Sequence, residues 1–116
     1  MLRTNDFLHD KTVSIDKANT GDYLLGNQPD TDGGTDNLPY IIEYFSETQY
    51  FSIALLKEPL GAVRISLEHY LMNTLGLSQS DMCKLKYDLS VPDSVNTHFA
   101  GRSLGFSFCP DAEKLP

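Results

Sequence analysis

Two segments rich in aromatic and β-branched residues follow position 39 and predict a β-hairpin. They span residues 40–45 and 50–56, and four polar residues separate them. Such side chains favour strands, and a short polar connection between two such runs is typical of a hairpin. Successive side chains of a strand point to opposite faces, so Phe51, Ile53 and Leu55 share one face. We expect that face to look into the core.

The next segment predicts a helix that begins at Pro59 and ends at Gly76. Proline is tolerated in the first helical turn, and glycine readily adopts the left-handed conformation that ends a helix. Steps of three and four residues define one stripe of the helix, and Arg64, Glu68 and Asn73 are expected to lie away from it. The stripe consists of Leu60, Val63, Leu67, Tyr70, Leu71, Thr74 and Leu75.

The remaining C-terminal part predicts a short helix and two further strands. Ser78 is suited to cap a helix that reaches about Leu85, because its hydroxyl can accept hydrogen bonds from free amides of the first turn. Apolar and polar residues alternate over 85–91 and 104–109, and a proline follows each segment. The alternation predicts two half-buried strands, with Gly105 as a candidate bulge in the second.

The order of these elements predicts an α+β two-layer sandwich. One principal helix on one face of a small, mainly antiparallel sheet of about four strands buries both apolar patterns. The chain lacks a repeated alternation of strands and helices, which disfavours a doubly wound parallel sheet.

The N-terminal third differs in character from the rest of the chain. Residues 1–39 are predicted to form an acidic, Gly/Asp-rich and partly flexible arm, and residues 40–116 a compact domain. Residues 26–37 are almost wholly polar and turn-forming, which is typical of a loop. Alternation over 12–16 indicates a short edge strand, and residues 23–25 are expected to anchor the arm on the main body.

Charge and hydropathy limit the partners and the compartment. The chain of 116 residues has 9 Lys and Arg against 16 Asp and Glu, for a net charge of -7. An acidic field repels phosphate backbones, so neither nucleic acid nor an anionic membrane is an expected partner. The apolar runs are much shorter than the roughly 18 residues of a membrane span. Cys83 and Cys109 could form one bridge or none. Without a secretory signal, we expect a soluble, cytoplasmic protein, in which reduced cysteines are the default.

An acidic loop is the best metal candidate in the sequence. Asp30, Asp32 and Asp36 could offer oxygen ligands to calcium from a turn-rich segment. An EF-hand loop counted from Asp30 would require glycine and glutamate where the chain has Thr35 and Ile41. The preferred interpretation is therefore a solvated acidic linker, and no cofactor is expected.

The C-terminal segment holds the candidate catalytic residues His98, Arg102 and Cys109. A histidine can stabilise a cysteine thiolate, and an arginine can clamp a carboxylate or a phosphate. Cys109, however, neighbours Phe108 in a predicted strand, and a buried cysteine beside aromatic side chains behaves as a small hydrophobe. Catalysis is therefore the less favoured interpretation.

The favoured hypothesis is a small, non-catalytic protein-interaction module that binds another protein or a second copy of itself. If one sheet face packs on the helix, the other needs a partner, unless the N-terminal arm covers it. The residues predicted to form that aromatic face are Ile42, Tyr44, Tyr50 and Ala54. Tyr44, Tyr50 and Arg102 are the candidate binding residues.

Two alternative functions stay open on the sequence alone. One is a small enzyme or ligand binder that uses the C-terminal loop with its histidine, arginine and cysteine. The other is an acidic regulatory or inhibitory protein that acts on a basic partner.

Overall fold

The computed structural model describes residues 13–15, 22–25 and 39–115. Within these residues it has two helices, α1 (Leu60–Leu75) and α2 (Gln79–Met82). The strands of the described residues are β1 (Val13–Ile15), β2 (Asp22–Leu25), β3 (Tyr40–Phe45), β4 (Tyr50–Leu55) and β5 (Lys86–Ser90).

The strands form one sheet in the order β1-β2-β3-β4-β5. The first three pairs are antiparallel, and β5 runs parallel to β4. Parallel neighbours require a crossover connection, and α1 with α2 supplies it here. The predicted α+β fold, with one principal helix and a mainly antiparallel sheet, is confirmed.

The first two strands come from the N-terminal third of the chain. β1 lies where the sequence predicts a short strand, and it is the edge of the sheet. β2 pairs with β3 so that Leu25 is opposite Ile42 and Tyr23 is opposite Tyr44. Leu25 is buried in the core, so strand pairing attaches this part of the chain to the main body. The predicted loop over 26–37 lies outside the described residues.

The core lies between α1 and one face of the sheet. Phe51, Ile53 and Leu55 of β4 are buried on that face, as predicted. Because β3 pairs with β4 residue by residue, the side chains opposite them lie on the same face. The helix contributes fully buried leucines to this cluster, and they are Leu60, Leu67, Leu71 and Leu75.

The helix ends agree with the sequence prediction. Helix α1 begins directly after Pro59 and ends before Gly76, whose φ of 71° is in the left-handed region. Ser78 caps α2, since its hydroxyl oxygen accepts a hydrogen bond from the amide of Asp81 at 3.2 Å. Helix α2 is shorter than predicted and does not reach Leu85.

The prediction of a strand over 104–109 is wrong. Gly105 has a φ of 74°, which interrupts an extended backbone. The segment makes one backbone hydrogen bond to β5, in which the amide of Leu104 donates to the carbonyl of Leu89 at 2.8 Å. The alternation in the sequence instead reflects burial, because Leu104 and Phe106 are both fully buried in the core.

The burial of Phe106 gives a stability prediction. Its ring stacks on the ring of Tyr87 with 4.2 Å between centroids. We expect Phe106→Ala to lower the free energy of unfolding by about 3–5 kcal/mol, because it leaves a cavity in the core. Urea denaturation measures the change. The exposed residue Lys114 provides the control, since Lys114→Ala should change stability by less than about 0.5 kcal/mol. Equal, small losses in both variants would contradict the assignment of this segment to the core.

Tyr40 gives a prediction about alkaline pH. Burial, with a smaller contribution from Tyr70, raises the pKa of Tyr40 above its ordinary value of 10.0. The folded protein therefore keeps the phenol proton where the unfolded chain has lost it, and stability falls as the pH rises above 10.0. Tyr40→Phe keeps the ring and removes this titration. Urea denaturation at about pH 8 and about pH 11 should show a smaller loss of stability in Tyr40→Phe than in the parent, and an equal loss would contradict it.

Candidate functional site

The structure corrects the expectation that the two cysteines are reduced. Cys83, which follows α2, forms a disulfide with Cys109 of the C-terminal segment. The two residues are 26 positions apart, and their proximity depends on the tertiary fold. Cys109 therefore has no thiol to act as a nucleophile. Next to it, the ring of Phe108 stacks on Phe106 at 5.8 Å between centroids.

The other two catalytic candidates both contact the ring of Phe99 at the surface. His98 is exposed, and its ring meets Phe99 edge-on with 4.7 Å between centroids. The guanidinium of Arg102 lies 5.9 Å from the centre of the Phe99 ring. Its Nη1 also donates to Oε1 of Glu113 at 3.3 Å. His98 and Arg102 therefore lie against one ring, and the disulfide leaves no Cys109 thiolate for them to stabilise.

Two charged residues of α1 are buried where the sequence analysis expects exposed side chains. Arg64 and Glu68 keep 6% and 2% of their surface exposed, so that expectation is wrong for both. Arg64 Nη1 donates to the carbonyls of Gly105 at 3.2 Å and Glu113 at 2.8 Å. Burial lowers the pKa of Arg64, and the nearby carboxylate of Glu68 opposes this effect.

Glu68 binds the same C-terminal segment as Arg64, but at a different residue. Its carboxylate accepts hydrogen bonds from the amide of Ser107 and, at 2.7 Å, from the hydroxyl of Ser107. Its Oε2 lies 4.0 Å from Nε of Arg64. The amide of the preceding residue, Phe106, donates to the hydroxyl of Tyr87 at 3.1 Å. Hydrogen bonds to side chains therefore hold the backbone of this segment, in place of the hydrogen bonds that a neighbouring strand would provide.

The face of the sheet opposite the core carries an aromatic pair. Phe45 and Tyr50 are cross-strand partners, and their ring centroids are 6.3 Å apart. Ile41 and Ala54 are opposite each other at the other end of the same pair of strands. None of these four half-buried side chains belongs to the core cluster around α1. We call this surface the outer face; its members are Ile41, Glu43, Phe45, Tyr50, Ser52, Ala54, Lys86, Asp88 and Ser90.

The predicted composition of this face is only half right. Tyr50 and Ala54 belong to it, but Ile42 and Tyr44 point to the core and are buried. The ring of Tyr44 packs against Phe51 with 4.8 Å between centroids. The hairpin register explains the difference, because Tyr44 is opposite Phe51 and therefore shares its face.

The sequence leaves open that the N-terminal region covers the outer face through Val13, Ile15, Leu24 and Leu25. The positions of β1 and β2 do not support this alternative. Residues of β1 and β2 lie in the sheet, beside β3, and extend it sideways. Leu25 points to the core, and Leu24, opposite Glu43 in the register, lies on the outer side.

A cleft of about 380 Å³ continues the outer face at the end of β5. Asp88 and Ser90 form its strand side, and Ser103 with Arg102 forms its loop side. Asp88 is half-buried, and its carboxylate makes no hydrogen bond or ion pair with another described residue. Asp88 is opposite Ser52 in the register, two positions from Tyr50 on the same face, so the cleft adjoins the aromatic pair. Burial, and then the charge of Asp88, raise the pKa of Tyr50. The described residues that line the cleft are Asp88, Ser90, Val91, Pro92, Gly101, Arg102 and Ser103.

Among the residues that line this cleft, Arg102 is the one that the sequence predicts as a binding residue. Asp88 and Ser90 are visible as the polar positions of an alternating strand, which places them on the outer face. Ser103 is more than ten positions away, and nothing in the sequence indicates that it lies beside them. The cleft therefore depends on the path of the loop after β5, which sequence pattern does not predict.

Within the described residues, no group of three His, Cys, Asp or Glu side chains is arranged to hold a metal ion. The calcium candidates Asp30, Asp32 and Asp36 lie outside those residues. In the same part of the chain, neither helix is long and apolar enough to cross a membrane. Comparisons with models of known protein families, with curated protein sequences and with solved structures each find no match.

The buried pair on α1 gives a further stability prediction. Arg64→Met leaves the carboxylate of Glu68 buried without its cation, so we expect the free energy of unfolding to fall by about 3–5 kcal/mol. Arg102→Met is the matched control. It breaks an exposed pair and should cost less than about 1 kcal/mol. Thermal or urea unfolding of both variants measures the difference. A loss for Arg64→Met no larger than for the control would show that the pair does not hold the C-terminal segment.

Proposed function

We propose that the protein is a non-catalytic interaction module that binds a basic protein partner through its outer face. The observation that carries the proposal is the pair of rings of Phe45 and Tyr50 on the face opposite the core. Aromatic side chains supply much of the binding energy of protein interfaces, because they bury a large area at low entropic cost.

The surroundings of this pair combine apolar and polar side chains. A second apolar pair, Ile41 with Ala54, lies on the same face, and the polar pair of Glu43 and Ser52 separates it from the two rings. Asp88 of β5 is opposite Ser52 in the register. Aromatic side chains next to polar ones are typical of a protein-binding surface.

The net charge favours one kind of partner. The chain carries a net charge of -7, which attracts a basic surface and accelerates its association. Two copies of the chain repel each other through the same charge, so a second copy is the less favoured occupant. A basic partner is also what the alternative of an acidic regulatory protein requires, and the outer face is the surface that would bind it.

The placement of the candidate catalytic residues supports a non-catalytic role. Cys109 is part of a disulfide, and Arg102 is paired with Glu113. His98 is exposed and is not among the described residues that line the cleft. An enzyme or ligand binder built on these three residues is therefore the less favoured function.

The disulfide between Cys83 and Cys109 bears on where the module acts. Disulfides persist in oxidising compartments and are rare in the cytosol, where reducing systems keep thiols free. The proposal therefore favours an oxidising compartment over the cytoplasmic location expected from the sequence.

Selection from a random peptide library displayed on phage tests the proposal and does not require an identified partner. We expect the selected peptides to combine lysine or arginine with aromatic or aliphatic residues. Tyr50→Ser should weaken their binding by about tenfold or more, because it removes a central aromatic contact. Ile65→Ser is the matched control, since Ile65 is an exposed hydrophobic residue of α1; it should leave binding unchanged.

Three results would overturn the proposal. The first is a set of selected peptides without an excess of basic residues. The second is binding that Tyr50→Ser and Ile65→Ser affect equally. The third is a dimer in sedimentation that Tyr50→Ser dissociates, because the occupant of the outer face would then be a second copy of the chain.

A further inference from the structure

We propose that the cleft at the end of β5 binds a lysine or arginine side chain of the partner, with Asp88 as its counter-ion and the hydroxyls of Ser90 and Ser103 as hydrogen-bond acceptors. The inference rests on the proposed function, since Asp88 and Ser90 belong to both the cleft and the outer face. It adds the chemical group that the partner places there.

The polar groups of the cleft lack partners within the described residues. The carboxylate of Asp88 and the hydroxyls of Ser90 and Ser103 line the cleft, and none makes a hydrogen bond to another described residue. A half-buried carboxylate is most stable when a cation or several donors approach it. The cleft therefore presents one negative charge and two neutral acceptors to a ligand.

Arg102 does not reverse this balance. Its Nη1 is bonded to Oε1 of Glu113 at 3.3 Å, and its guanidinium stacks near Phe99. The positive charge of Arg102 is thus offset by a carboxylate outside the cleft lining. The charge of Asp88 has no such compensation, so the cleft as a whole favours a cation.

The ligand chemistry follows from the small number of carboxylates. Calcium and magnesium sites require several oxygen ligands, and Asp88 is the one carboxylate among the described residues that line the cleft. An ammonium or guanidinium group instead uses its N–H donors, which match one carboxylate and two hydroxyl acceptors. The volume of about 380 Å³ lies near the lower end of ligand pockets and suits a single side chain.

The cleft and the aromatic pair are close enough to act together. Asp88 is opposite Ser52 in the register, and Tyr50 precedes Ser52 by two positions on the same face of β4. One partner segment can therefore pack an apolar residue on the rings of Tyr50 and Phe45 and place a basic side chain in the cleft.

Titration of the isotope-labelled full chain with small organic cations tests the cleft directly. The probes are butylammonium and butylguanidinium, followed through the amide NMR signals of Gly101 and Ser103. We expect saturable shifts with a dissociation constant in the millimolar range. Asp88→Asn should weaken binding by about tenfold, because it removes the charged acceptor. Asp111→Asn is the control. Asp111 is exposed and outside the cleft lining, and its variant should bind as the parent does.

Three results would overturn the inference. One is the absence of shifts in the cleft at probe concentrations up to about 50 mM. Another is equal binding to the parent and to Asp88→Asn. The third is a shift of the same amides by butyrate rather than by the cations, which would assign the cleft to anions through Arg102.

The failure of this inference is distinguishable from the failure of the proposed function. Selected peptides that need Tyr50 but bind equally well to Asp88→Asn would overturn the role of the cleft alone. Small cations that bind in the cleft, together with peptides that do not need Tyr50, would overturn the role of the aromatic pair alone.

Discussion

The register between β3 and β4 is the constraint on which the rest of the structure depends. Phe45 is paired with Tyr50, so every second residue of both strands points to α1 and the others point away. A shift by one residue would place Tyr44 and Phe51 on opposite faces of the sheet, and one of the two rings would leave the core. The same pairing therefore produces the core and the aromatic outer face, and neither can change without the other.

The second constraint is the closure of the core by a C-terminal segment that is not a strand. Leu104 and Phe106 insert into the core, but the backbone around them finds its partners in the side chains of Arg64 and Glu68. A buried arginine and a buried glutamate would be costly alone. Here Nη1 of Arg64 donates to two backbone carbonyls and the carboxylate of Glu68 accepts two hydrogen bonds from Ser107, while Nε of Arg64 makes no hydrogen bond. The disulfide from Cys109 to Cys83 adds a covalent attachment at the same place.

Local pattern predicts the hairpin, the main helix and the fold class, because these elements depend on propensity, periodicity and terminal residues. Two predictions are wrong although the sequence contains the information to correct them: the face of Tyr44 in β3 and the face of Arg64 in α1. A four-residue connection between the strands already places Tyr44 opposite Phe51, and Arg64 follows Leu60 by four positions and therefore lies within the apolar stripe. The path of the C-terminal segment, the disulfide and the cleft depend on contacts between distant residues, and alternation over 104–109 cannot distinguish a strand from an irregular segment that buries every second side chain.

Tyr44 and Phe51 are buried in the core, and the proposed binding surface requires that Phe45 and Tyr50 on the other face are accessible. Hydroxyl-radical footprinting of the full chain, read by mass spectrometry, tests this arrangement residue by residue. We expect rapid oxidation of Phe45 and Tyr50 and strong protection of Tyr44 and Phe51. Oxidation of Tyr44 as fast as that of Tyr50, or protection of all four rings, would contradict it.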